Sequence, residues 1–239
     1  MYWELIVYPL FLVAIIFSLY AQIKISSTYK KYASFYTRAG RNATDIARMM
    51  LSDAGVYDVF IGRVRGNLTD HFDPRSNTLA LSDTTYASTS AAAIGVAAHE
   101  AGHAIQHAEG YFPIKLRSAL VPVTSFASRM SWIFIMLGIL VTSFAYYSDF
   151  GYYVLLFGVG LFGVTTLFQL VTLPCEFNAS RRAITAIRAT GLYSNDEIYA
   201  AKKVLSAAAM TYIAATFASA VQLMRLLLIL AGRGGRRNR

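Results

Sequence analysis

The sequence predicts an α-helical membrane protein, in which four transmembrane helices are joined to a polar domain containing a small antiparallel β-sheet. Three observations predict it. Four long runs are free or nearly free of charge. The whole chain is 56% hydrophobic and only 15% charged, well under the roughly 25% charge of soluble domains. The polar remainder falls into two segments, too short to cover those runs as core helices of a soluble protein.

The first span, residues 3–23, contains the uncharged stretch Leu5 to Ala21. A helix rises about 1.5 Å per residue, so about 20 residues cross a hydrocarbon layer of about 30 Å. Glu4 precedes the run, and neither a basic leader nor a convincing small-residue cleavage site accompanies it, so it reads as a retained span. Residues 128–148, 150–173 and 207–231 are the other three. Arg225 interrupts the last about 9 Å from its end, close enough for the guanidinium to reach the interface. Tyr2, Trp3, Tyr20, Trp132, Tyr146 and Tyr147 sit at run ends, as interfacial aromatics do. Gly158, Gly160, Gly163, Ala214 and Ala218 offer small faces for close helix contact. GVGLFG at 158–163 lacks the strand-to-helix setting of a dinucleotide loop.

Four crossings put both polar segments, 24–118 and 174–205, on one side. Seventeen lysines and arginines lie in or beside them, against four in the basic tail 232–239. The positive-inside bias predicts a multi-pass protein of the cell membrane whose polar segments face the cytoplasm, although the tail pulls the other way. The net charge of +9 then reflects membrane orientation and anionic lipid heads rather than nucleic acid, since no base-stacking module is visible. The one cysteine, Cys175, has no internal disulfide partner.

Within the first polar segment, Ser26 to Arg41 suggests an interfacial helix. Asn42 or Thr44 is placed to cap a short helix that Gly55 ends. Val56 to Val64, Asn67 to Phe72 and Thr78 to Ser82 then read as strands, with Asp73 to Asn77 as a turn. Asn77 to Ser82 is expected to leave an edge on which a substrate strand could pair. A helix capped near Ser88 to Ser90 follows and runs to Glu109, with Gly110 and Pro113 ending it. Its alanines and glycines imply a buried, closely packed element.

That helix carries AAHEAGHAIQHAEG, residues 97–110. His99 and His103 are four apart, so both rings face one ion, and Glu100 between them reaches water beside it. Two imidazoles suit zinc. His107 lies about 12 Å from His99 along the axis, whereas a shared zinc needs both donors within roughly 2.1 Å. His107 is therefore a residue supporting His103 or one touching substrate, and His71, beside the Asp73–Pro74 turn, a surface or hinge histidine. The third ligand is sought in 174–190, where Glu176 is the only acid. In a helix opened by Pro174 it completes a His2Glu set; the alternative is a carboxylate favouring the helix dipole and pairing with Arg181. Glu109 points off the His99 face. With zinc in place, Glu100 acts as general base toward a peptide carbonyl, and Asn178, His107, Arg181 and Arg182 are candidate oxyanion donors. Residues Ala119 to Ala127, with Pro122, could cover such a cleft or lie along the membrane surface.

The chain resembles the YugP-type neutral zinc metallopeptidases, integral membrane proteins of prokaryotes. The resemblance rests on LTDHFDPRSNTLALS at 68–82, AAIGVAAHEAGHAIQHAEGY at 92–111 and LPCEFNASRRA at 173–183, in one order with membrane runs between. It implies a zincin-like (gluzincin) domain in which His99, His103 and Glu176 bind zinc and Glu100 is the catalytic carboxylate. More widely the chain is similar to HtpX-type membrane proteases, which act in membrane protein quality control. Those carry an acid four residues after the third ligand, where this sequence has Ser180. The expected function is a membrane zinc endopeptidase acting on membrane or misfolded proteins. A zinc hydrolase of another substrate and a nonenzymatic metal-binding scaffold or metal transporter are its rivals.

Overall fold

The computed structural model describes residues 4–144 and 149–237. The expected end of the second span, including Tyr146 and Tyr147, and the outermost tail residues lie outside them, as do Tyr2 and Trp3. In chain order the elements are α1 (Glu4–Ala33), α2 (Ala43–Asp53), β1 (Phe60–Val64), β2 (His71–Asp73), β3 (Thr78–Ser82), α3 (Ala91–Ala108), α4 (Phe112–Phe144), α5 (Asp149–Ala189) and α6 (Asn195–Arg237). Leu5–Ala33, Phe112–Phe144, Asp149–Ala189 and Asn195–Gly232 are each long and apolar enough to cross a membrane. The chain is thus a multi-pass membrane protein.

The chain divides into two compact units. One comprises residues 1–19, 116–172 and 212–239 and contains the apolar lengths of the four long helices. Ile135, Leu155, Val159, Leu226 and Leu230 form its core. Glycines set the closest approaches. A Cβ on Gly138 would lie 2.5 Å from the Leu155 backbone, and one on Gly158 2.7 Å from that of Ile135. Gly160 and Gly163, by contrast, face open space. The Arg225 guanidinium lies 5.4 Å from the ring centroid of Tyr8 and 5.1 Å from that of Phe11, so aromatic faces meet the cation. Leu5, Ile6, Leu12, Val13, Ile16 and Leu19 on α1 are exposed, as lipid-facing residues are.

The second unit comprises residues 20–115 and 173–211. Asn42 caps α2 through a reciprocal capping box with Asp45, and Ser90 caps α3 by accepting from the Ala93 amide. Gly55 and Gly110, beyond the two helix ends, take the positive φ that a left-handed terminus requires. The core joins Ile46, Met50 and Leu51 of α2, Leu79 and Leu81 of β3, Ile94, Ala97, Ala98 and Ala101 of α3, Ala183 and Ile187 of α5, and Ala201 and Leu205 of α6.

Several expectations need correcting. The sheet, ordered β1-β3-β2, is mixed rather than antiparallel: β2 and β3 form an antiparallel hairpin, with β2 confined to 71–73 instead of the expected 67–72, whereas β1 runs parallel to β3 with Phe60 opposite Thr78. The turn at 74–77 fixes the hairpin locally, but β1 pairs across β3's far side, which no local signal specifies. β3 is consequently central and paired on both sides, so 77–82 offers no free edge. Pro174 does not open a helix; it lies inside α5, as Pro9 and Pro122 lie inside α1 and α4. Long apolar helices tolerate the lost amide. Finally, residues 26–33 continue α1 rather than forming a separate helix, and 119–127 is part of α4.

Candidate metal centre

Two helices of the second unit build the site. A Cβ on Gly102 would lie 3.0 Å from the Ala179 carbonyl oxygen and 3.2 Å from its Cα, so a larger residue there would press α3 away from α5. The residues flanking the contact, His99 and His103 on α3 and Glu176 and Ser180 on α5, therefore face one another. Two turns earlier along α3, a Cβ on Gly95 would lie 3.2 Å from the Ala201 Cβ of α6.

His99 Nε2 lies 3.2 Å from Glu176 Oε2, and His103 Nε2 lies 3.6 Å from Glu176 Oε1. The two imidazole centroids are 4.7 Å apart at 83°. One ligand atom from each of the three residues falls within 4.8 Å of the others. Glu176 is 2% exposed and His103 7%. Glu176 is thus mid-helix and facing both histidines, not in a first turn pairing with Arg181.

The remote nitrogens are also engaged. His99 Nδ1 lies 3.1 Å from Ser180 Oγ, and His103 Nδ1 lies 3.0 Å from Gln106 Oε1. In the tautomer that carries its proton on Nδ1, an imidazole here turns its Nε2 lone pair toward the Glu176 carboxylate. A cation placed between these three converging groups would offset the cost of burying the Glu176 carboxylate. Two neutral imidazoles with one carboxylate, remote nitrogens hydrogen-bonded, is a donor set that suits zinc.

Glu100, next to His99, is partly buried, and burial pushes its carboxyl above the usual carboxylate range. Among the described residues no hydrogen bond or ion pair engages it. His107 is exposed, its ring 5.8 Å from that of Phe72 on β2. His71 is exposed and near the Thr69 carbonyl, 2.8 Å away. Glu109 is held by Arg182, whose two terminal nitrogens donate to it at 2.9 and 2.7 Å, which keeps its carboxyl below the ordinary range. Of the candidate oxyanion donors, Asn178 Oδ1 accepts from Gln106 and from Arg182 Nε, and Arg181 is exposed. Cys175 is fully buried beside Glu176.

Sequence reasoning missed Gln106. It is completely buried and donates to the Cys175 carbonyl at 2.9 Å and to Asn178 at 2.8 Å. Its spacing of three from His103 was the available signal. Ser180, where HtpX-type proteases carry an acid, places its hydroxyl against His99.

The family described as "Putative neutral zinc metallopeptidase" matches residues 7–231. The chain is 42% identical over 214 residues to "Putative membrane protease YugP" of Bacillus subtilis (strain 168), covering 89% of this chain and 91% of that one. No solved structure matches.

Proposed function

The chain belongs to the neutral zinc metallopeptidase family, and from that premise we propose that its second unit is the proteolytic centre of a membrane-embedded zinc metalloendopeptidase. The cofactor is zinc and the substrate is protein. The observation that carries the reading is the buried convergence of His99, His103 and Glu176 beside Glu100.

In the proposed mechanism His99, His103 and Glu176 hold the metal. Zinc, when bound there, supplies a Lewis acid that polarises the scissile carbonyl and acidifies a water. The Glu100 carboxylate accepts the proton of the attacking water and passes it to the leaving amine. Its place beside His99, with no hydrogen bond or ion pair engaging its carboxylate among the described residues, suits a group that must both take and return a proton. Ser180 and Gln106 hold the two imidazoles in orientation, and Gly102 sets the helix separation that lets Glu176 reach them. Glu100→Gln is expected to keep its zinc and lose about 10²–10⁴-fold in kcat, read by metal analysis and peptide cleavage on one preparation. Wild-type turnover by that variant would remove Glu100 from the chemistry.

Membrane or misfolded proteins are the proposed substrates, and the site is proposed to face the cytoplasm. The excess of lysine and arginine in and beside the two polar segments supports that orientation. A reporter fused to the C-terminus tests it: activity requiring the far side of the membrane is expected, and a cytoplasmic C-terminus would reverse the assignment.

A further inference from the structure

Resting on the zinc reading above, we infer that Gln106 is a positioning residue that sets the proton on Nδ1 of His103 and so directs the Nε2 lone pair toward the metal position. The inference follows from groups that have no choice of role. Arg182 only donates. Its Nε lies 2.8 Å from Asn178, so the atom it meets is the amide oxygen. That oxygen in turn faces Gln106 at 2.8 Å, so Gln106 presents its NH2 there. The Cys175 carbonyl, which only accepts, imposes the same orientation independently at 2.9 Å. Both constraints leave the Gln106 carbonyl oxygen pointing at His103 Nδ1, 3.0 Å away. Against that acceptor Nδ1 must carry the proton, because an unprotonated nitrogen would set two lone pairs against each other.

The consequence is geometric and electronic. A neutral imidazole protonated on Nδ1 directs its lone pair through Nε2, the atom that faces Glu176. The other tautomer would point a proton at the metal position. The relay Arg182, Asn178, Gln106, His103 also crosses from α5 to α3 and holds the ring in place. Gln106 is completely buried, so water does not substitute for it. His99 is backed differently, by a serine hydroxyl at 3.1 Å that rotates to donate or accept, and its proton position is less constrained. Gln106 therefore distinguishes the two histidines.

The test uses the full-length chain in detergent or nanodiscs. Gln106→Met keeps volume and removes the acceptor; apparent zinc affinity, measured by chelator competition, is expected to weaken about 10- to 100-fold, with a changed visible spectrum of the cobalt-substituted protein. Asn178→Ala, which leaves Gln106 oriented by the Cys175 carbonyl alone, should weaken zinc by a smaller factor. Independently, nitrogen-15 spectra of histidine-labelled, metal-free wild type, assigned by single His→Gln replacements, should show His103 Nδ1 protonated at every pH examined. The proposal is overturned by a non-protonated Nδ1 on His103 in that spectrum, or by unchanged zinc affinity and cobalt spectrum in a folded Gln106→Met protein. Absence of zinc binding by the wild type would instead defeat the metal reading, while the nitrogen-15 measurement still decides the role of Gln106.

Discussion

Helices α1 and α3 are both rich in apolar residues, yet they meet opposite surroundings. α1 carries Leu, Ile, Val and Tyr, and many of these are exposed, Leu12 at 57% and Ile16 at 57% among them. α3 is built largely of Ala and Gly, and Ala92, Ala93, Ala97, Ala98 and Ala101 are completely buried. The difference teaches that residue size, more than hydropathy, separates a helix that offers itself to lipid from one surrounded by protein. Large side chains fill a fluid environment at no packing cost. Small ones admit neighbouring backbone, and on α3 that closeness is what positions ligands from a second helix.

Substitutions that probe packing sharpen this contrast. The largest effect is expected at Leu79, fully buried on β3: Leu79→Ala should cost about 2–5 kcal/mol, whereas Leu12→Ala on α1 should cost little, both read from thermal unfolding in one detergent. Comparable losses would mean that α1's exposed face is covered by protein. Next in size is Gly102→Val. The Ala179 backbone has no room for it, so about 1–3 kcal/mol should be lost, together with zinc affinity as Glu176 is pushed from the histidines. Gly160→Ala, facing open space, should leave both unchanged; equal damage at the two glycines would contradict the packing argument.

The smallest effect belongs to the Glu109–Arg182 pair, where Glu109 is half exposed. Its folded carboxyl is held below the ordinary range, so its contribution is present at neutral pH and is lost as pH falls through that lowered value. Solvent screening keeps it within about 1 kcal/mol. The stability gap between wild type and Glu109→Gln should therefore close on acidification; a gap that widens would reverse the sign.

What the sequence revealed about this site depended on range. His99, Glu100 and His103 share one helical turn, so spacing alone brought them together, and the capping residues Asn42 and Ser90 were legible for the same reason. Glu176 was found as the one acid in its segment, but its setting was misread. Pro174 signals a helix start in a soluble context, yet it sits within a long apolar helix. The β1–β3 pairing joins strands whose shared register is visible only once β2 has been placed. Gln106 escaped because a glutamine among alanines reads as a polar surface residue until α5 is packed over it.

The central claim, that one zinc is gripped jointly by α3 and α5, is tested most directly by an anomalous difference map at the zinc edge from crystals of the zinc-loaded protein. The account predicts a single peak in the second unit within about 2.1 Å of His99 Nε2, His103 Nε2 and a Glu176 carboxylate oxygen. A peak coordinated by other residues, or one bound by the histidines with Glu176 turned away, would contradict it.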